Sequence, residues 1–308
     1  MPRDRALQRL TAVVADNTQQ SMQDPCAPPD LHPRKPSFEV PPHACDCHAH
    51  IFGPPVRYPY KPVRRYTPSA AGIEDYRRML AVLGLERAVI VQPGVFYGND
   101  VTIDALQSSD GKWRGIALLD ADVETRDIER LHVVGFRGVR LNPRNEKKDV
   151  LKNMDTLAQK IAPFGWHLQF HLDARELVTL GELLRRLPVD IVVDHLGHMP
   201  VEAGVTHPGF QMLIALLKEG RCWVKLSSPN RFGDPRPPYP SVAPFARALV
   251  QAAPTRCVWA TDWPHSRFSG FMPNDGDLLD LLAEWAPDPG IRKQILVDNP
   301  ARLYGFPA

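Results

Sequence analysis

Four short stretches of this 308-residue chain carry side chains able to activate water or hold a metal ion. The first reads Asp46-Cys47-His48-Ala49-His50. In a strand, residues two apart point to the same side, so His48 and His50 can share one ion or one substrate. The second is His167-Leu168-Gln169-Phe170-His171, in which His167, Gln169 and His171 share a face by the same rule. The third, Asp190-Ile191-Val192-Val193-Asp194-His195, is an apolar run ending in two polar residues, with Leu196-Gly197-His198 behind it. The fourth is Trp259-Ala260-Thr261-Asp262-Trp263-Pro264-His265. Its Asp262 can ligate a metal or act as general base toward water. His265 belongs either to the rim of such a site or to solvent. Each stretch has a plainer alternative: histidines packed in a crowded strand, a solvated loop histidine, an aspartate capping a loop. Their joint placement favours chemistry, because unconnected core histidines have no reason to collect at one end of each run.

Those runs belong to a regular alternation. From Ala44 onward, short apolar segments alternate with amphipathic, helix-length ones, the pattern of βα units around a parallel sheet. Strands are expected at Ala44–His50, Ala88–Gln92, Arg114–Leu119, Gly138–Leu141, His167–His171, Asp190–Asp194, Cys222–Leu226 and Cys257–Ala260. Helices are expected at Ile73–Leu83, Glu124–His132, Asp155–Phe164, Ala174–Leu187, Phe210–Lys218, Val242–Ala252 and Asp277–Ala286. A closing segment follows at Ile291–Leu296 and Pro300–Leu303. Eight strands close an α/β barrel of the (β/α)8 TIM type with a side-chain-filled interior. All C-terminal strand ends of such a barrel open on one face, so the four stretches converge. An open doubly wound sheet would offer a glycine-rich phosphate turn after its first strand, and here that strand ends in His48-Ala49-His50. The chain has no G-x-S-x-G elbow, which argues against a serine hydrolase. Residues 1–43 read as a proline-rich N-terminal extension to a barrel at 44–308. Pro25, Pro28, Pro29, Pro33, Pro36, Pro41 and Pro42 stop regular elements there, leaving room for a short helix at Arg5–Asp16.

Composition narrows the partners. A net charge of +2 creates no field that recruits nucleic acid or membrane, so a preference for anions must come from local arginines. No apolar run reaches the roughly 18 residues of a spanning helix. Met1 to Ala15 lacks the apolar core and cleavage site of a signal peptide. The cysteines, Cys26, Cys45, Cys47, Cys222 and Cys257, are scattered and odd in number, so a reduced, cytoplasmic protein without a disulfide framework is expected. No second pair joins Cys45 and Cys47 in a structural zinc site; they read as small strand residues. Oligomeric state is not legible, a homo-oligomer included.

A finer likeness runs through Cys47-His48-Ala49-His50-Ile51-Phe52-Gly53-Pro54 with Tyr58-Pro59-Tyr60, Gly138-Val139-Arg140-Leu141-Asn142, Thr261-Asp262-Trp263-Pro264-His265, and Asp298-Asn299-Pro300-Ala301-Arg302-Leu303-Tyr304-Gly305-Phe306. With His171 and His195, these residues resemble the amidohydrolase superfamily. Within it they are similar to the branch of 2-pyrone-4,6-dicarboxylate lactonases, 4-sulfomuconolactone hydrolases and sugar lactonases. The likeness spans roughly residues 44–306. It implies a TIM-type barrel that hydrolyses a small anionic lactone in aromatic-compound catabolism. Asp262 would take a proton from the attacking water. His48, His50 and His195 would hold or polarise the lactone carbonyl, directly or through a metal, with His195 stabilising the developing oxyanion. Arg140 and Arg231 would bind a carboxylate or sulfonate, with Tyr66 and Arg144 as further candidates. Arg137 and Arg140 point to opposite faces of the fourth strand, and the resemblance selects Arg140 as the inward one. Arg64, Arg65 and, in the plainer reading, Arg144 are solvated surface charges.

One position departs from the pyrone-dicarboxylate pattern, which resembles metal-independent enzymes with a tyrosine near the end of strand five. Here the residue is His171. With His48, His50 and Asp262 it makes a set able to ligate one divalent ion, and zinc is expected. A metal-dependent non-oxidative decarboxylase of an aromatic acid would use the same set. A binding protein on a decayed barrel would have lost it.

Overall fold

The computed structural model describes residues 26–144, 151 and 153–307, so the expected helix at Arg5–Asp16 lies outside the described residues. Eight strands run in chain order: β1 Cys45–Ala49, β2 Arg87–Val91, β3 Trp113–Ala117, β4 Phe136–Leu141, β5 His167–Phe170, β6 Ile191–Val193, β7 Cys222–Leu226 and β8 Cys257–Trp259. Each pairs in parallel with the next. A bridge from Ala49 to Trp263 joins the first strand to the segment after the last, with His50 N–H donating to Trp263 O at 2.8 Å and Asp262 N–H to His48 O at 3.0 Å. The sequence is read as a barrel, and this is its architecture.

The strands are short because each needs only to cross the barrel wall, and apolar because both faces are covered. β2, for example, reads RAVIV and is buried throughout. Inside, Cys45 and Cys47 pack with Val89, Val91, Ile116 and Val192, and Tyr304 joins the same cluster. Outside lie the helices: α1 Ile73–Leu83, α2 Asp100–Gln107, α3 Thr125–Val134, α4 Met154–Ile161, α5 Leu177–Arg185, α6 Pro208–Glu219, α7 Ala243–Ala252, α8 Asp275–Trp285, α9 Pro289–Lys293 and α10 Asn299–Tyr304. α1 shows why they dock. Tyr76, Met79, Leu80 and Leu83 fall at helical spacing and are buried, and Gly84 at φ 72° ends the helix in a left-handed turn.

β7 and α1 keep their expected bounds, and the other strands shift by one or two residues. α2 was not expected; its eight residues include adjacent Val101 and Thr102 and then Ile103, β-branched residues that weaken a helical signal. Residues 26–43 follow an irregular path and fasten to the segment around α8: Arg34 N–H donates to Asn274 Oδ1 at 2.9 Å and Ser37 N–H to Asp280 Oδ1 at 2.6 Å. No described helix is long and apolar enough to cross a membrane. All the cysteines among the described residues are free.

Candidate active site

Local backbone devices aim the site residues. Between Asp46↔Ala88 and Ala49↔Ile90 the pairing of β1 on β2 slips by one residue, a bulge. Cys47 faces the interior cluster, yet the His48 and His50 rings meet Nε2 to Nε2 at 3.3 Å, with His50 lining the cavity above and His48 buried beneath it. Asp46 turns the other way and ties two strands. It accepts from His48 N at 3.1 Å, Thr261 N at 3.0 Å, Thr261 Oγ1 at 2.5 Å and Tyr76 Oη at 2.9 Å. The chain leaves β6, β7 and β8 through left-handed residues: His195 at φ 51°, Ser228 at φ 56° and Asp262 at φ 67°. L-residues adopt this conformation uncommonly, Asp and His more readily than most, and here it turns three polar side chains toward one another.

Asp262 uses its two oxygens differently. Oδ2 accepts from Ser228 Oγ at 2.8 Å and from Arg231 Nε at 3.1 Å. Oδ1 faces His48 Nε2 at 3.8 Å and His195 Nε2 at 3.7 Å, beyond hydrogen-bond distance. Burial alone would raise this carboxyl's pKa. Arg231, joined in the acid range by His195, His48 and His50 once they are protonated, outweighs burial and holds it well below the usual carboxylate range. Burial depresses His50 and His195 to about 4 each, and His48 well below its ordinary value, so the rings are neutral near neutral pH. Beneath them lies a buried charge network. Lys225 Nζ donates to Gln169 Oε1 at 2.7 Å and stands 3.5 Å from Asp194 Oδ1, whose Oδ2 accepts from Arg140 Nε at 3.1 Å.

The donor set fits a metal ion. His48, His50 and Asp262 offer three ligand atoms within 4.8 Å of one another, and His48, Asp194 and His195 form a second such group. His50 Nδ1 lies 2.7 Å from the Val91 carbonyl, which can only accept, so Nδ1 bears the hydrogen and Nε2 a lone pair. That lone pair meets His48 Nε2 at 3.3 Å. His48 Nδ1 has two suitors, Asp194 Oδ1 at 3.2 Å and Lys225 Nζ at 3.1 Å. If Nδ1–H donates to Asp194, two lone pairs confront each other beside a carboxylate, and a cation relieves them. If Lys225 donates to Nδ1, His48 Nε2–H donates to His50 and no ion is needed.

His171 departs from the expected set. It stands outside the group formed by His48, His50 and Asp262: its ring lines the same cavity but packs on His198 at 4.4 Å and His195 at 5.6 Å, centroid to centroid. His265 is neither rim nor solvent: it is buried, 3.0 Å from Asp275 Oδ1, and braces the turn carrying Asp262. His167 is buried deeper, edge-on to Tyr304. Arg137 turns away and donates to the carbonyls of His132 and Phe136.

A cavity of about 1580 Å³ opens above these groups. His50, His171, His195 and Asp262 line it, as do Arg140, Arg144, Arg231 and Tyr66. Lys61, Arg64, Arg65 and Arg267 add to a strongly basic wall, so Arg64 and Arg65 face the cavity rather than open solvent alone. Arg231 is committed to Asp262 and to Ser266 O, and Arg144 stands half-exposed 3.6 Å from Asp173. Asn230, on the same wall, buries both polar side-chain atoms without a hydrogen-bond partner. Sequence reasoning missed Lys225, Ser228 and Asn230. Only Lys225 carried a signal, a charge inside the apolar run Cys222–Leu226.

The family model described as amidohydrolase matches residues 45–306. The chain is 37% identical over 287 residues to a 4-sulfomuconolactone hydrolase of Hydrogenophaga intermedia, covering 91% of this chain and 94% of that one. It is 36% identical over 293 residues to a 2-pyrone-4,6-dicarboxylate hydrolase of Comamonas testosteroni, covering 89% and 93%. A ligand-free crystal structure from Agrobacterium tumefaciens superposes with a TM-score of 0.83 at 28% identity, over 90% of this chain and 99% of that one.

Proposed function

The chain belongs to the amidohydrolase family, and from that premise we propose that it hydrolyses the ring ester of a small anionic lactone, as its relatives' names describe for them. The supporting observation is the division of labour within Asp262. One oxygen is tied by Ser228 and Arg231, and the other is left facing the histidine nitrogens and the cavity. A lactone carbonyl is a modest electrophile and neutral water a poor nucleophile. Asp262 Oδ1 accepts a proton from water as its oxygen bonds to the carbonyl carbon. The ring C–O bond then breaks, the electron pair leaves with the ring oxygen, and the proton passes to it, giving a ring-opened acid. The base's low pKa keeps it ionised at working pH. A divalent ion held by His48, His50 and Asp262, zinc being the one this donor set favours, would polarise the carbonyl.

Recognition rests on the basic wall. Arg140 and Arg231 are the binding residues for a carboxylate or sulfonate, with Arg144 and Tyr66 behind them, because a guanidinium fork matches these anions. Free cysteines suit a reducing cytoplasm. The test is a panel of lactones matched in ring and differing in one carboxylate or sulfonate, with ring opening followed by absorbance and proton release. The anionic member is expected to show a kcat/KM about 10- to 100-fold higher. Equal rates for both, or carbon dioxide release in place of ring opening, would contradict the proposal.

A further inference from the structure

Ser228 is fully buried, yet its one hydroxyl touches both His195 and Asp262. We propose that Ser228 is a positioning residue: it locks His195 as the Nδ1–H tautomer and orients Asp262, so that His195 Nε2 and Asp262 Oδ1 are twin acceptors for the attacking water. The water's part rests on the lactone-hydrolase reading; the tautomer does not.

Counting hydrogens fixes the tautomer. Ser228 Oγ lies 2.8 Å from Asp262 Oδ2 and 3.0 Å from His195 Nδ1. An ionised carboxylate only accepts, and a hydroxyl has one hydrogen to give, so that hydrogen goes to Asp262. Toward His195 the serine then presents a lone pair, and Nδ1 must donate. A bare Nδ1 would set two lone pairs against each other at 3.0 Å. Ser227 Oγ, 2.8 Å from the same nitrogen, accepts from it as well or turns its hydrogen elsewhere. The conclusion holds whether the ring is neutral or charged. In the neutral ring the free lone pair sits on Nε2, 3.7 Å from Asp262 Oδ1. Two acceptors at that separation cannot bond to each other, and a molecule with two hydrogens satisfies both.

This arrangement changes the role expected of His195. A bare Nε2 cannot donate to an oxyanion; it receives a hydrogen from the nucleophile instead. The left-handed backbone at Ser228 is what turns the hydroxyl back toward the histidine after β6 and the aspartate after β8.

Full-length protein labelled with ¹⁵N in its histidine rings reports the tautomer through long-range proton–nitrogen correlation, with His195→Gln identifying the His195 signals. The expected spectrum has Nδ1 protonated and Nε2 bare. Ser228→Gly removes the hydroxyl and leaves a residue at ease at φ 56°. It is expected to release an Nε2–H population and to lower kcat roughly 10- to 100-fold with little change in KM. Ser228→Ala, checked for folding by circular dichroism, should do the same. A bare Nδ1 in the unsubstituted protein, or a Ser228→Gly spectrum and kcat identical to it, overturns the proposal. The spectra need no substrate, so failure to open any lactone would count against the proposed activity alone.

Discussion

At the scale of residues, the decisive feature is that few polar groups in the site have a single partner. His48 Nδ1 lies between a buried ammonium and a buried carboxylate, and which of them it serves determines whether Nε2 is free for an ion. A Lys225 hydrogen bond to Nδ1 would oppose metal binding, and so would the positive charge it places below His48 and His50. Lys225→Met should tighten zinc binding roughly tenfold in a chelator competition, a change of about 1–2 kcal/mol. Asp194→Asn should weaken it; unchanged or inverted affinities would refute the account of His48. Arg231 is a second shared group, because its guanidinium both faces the cavity and pairs with Asp262. In the unsubstituted enzyme kcat/KM should stay level from about pH 8 to about pH 5, since the base is already ionised there. It should fall as His50 and His195 take up protons near about 4. Arg231 is one of the cations that hold His195 down, so Arg231→Ala lets His195 take up its proton at higher pH and moves the acid limb with it. The same variant raises KM for an anionic lactone more than for a neutral one. An unmoved limb would show that Arg231 does not tune His195.

At the scale of elements, the site depends on how β1 is fastened to the turn after β8. Asp46 gathers four donors, two backbone and two hydroxyl, from β1, α1 and Thr261. Asp46→Ala strands all four and should cost about 3–5 kcal/mol of stability in urea unfolding. Asp46→Asn should cost only about 1 kcal/mol, because the Tyr76 and Thr261 hydroxyls can reverse and accept from the amide while the backbone donors keep its oxygen. Equal losses would mean that the clamp is not what Asp46 provides. Much of this scale was legible from sequence. Strand ends are marked by the switch from apolar runs to His48, His50, Asp194, His195 and Asp262, and a barrel must bring such ends to one face. What was not legible depends on backbone turns. The bulge that brings the His48 ring against His50 beside an inward Cys47 leaves no mark on composition. His171 follows the alternation expected of β5, but its ring joins His198, which reaches it from the turn after β6, a neighbour remote in sequence. Ser228 matters only through its left-handed backbone and its two neighbours, neither of which is near it in sequence.

At the scale of the whole molecule, the nearly closed sheet makes the floor and the loops at its C-terminal face make a large, basic cavity. Net charge is close to neutral, so attraction of an anion is a local property of that wall and not of the protein's field. Residues 26–43 fasten from the other side of the chain onto Asn274 and Asp280, next to the turn that His265 and Asp275 brace. These contacts brace the segment that carries Asp262. The most direct measurement of the central claim is the rate of opening of an anionic lactone by Asp262→Asn against the unsubstituted enzyme at neutral pH, with folding and metal content matched. Loss of a proton acceptor at Oδ1 predicts a kcat/KM lower by roughly 10²- to 10⁴-fold. An Asp262→Asn enzyme within a few-fold of the original would contradict it.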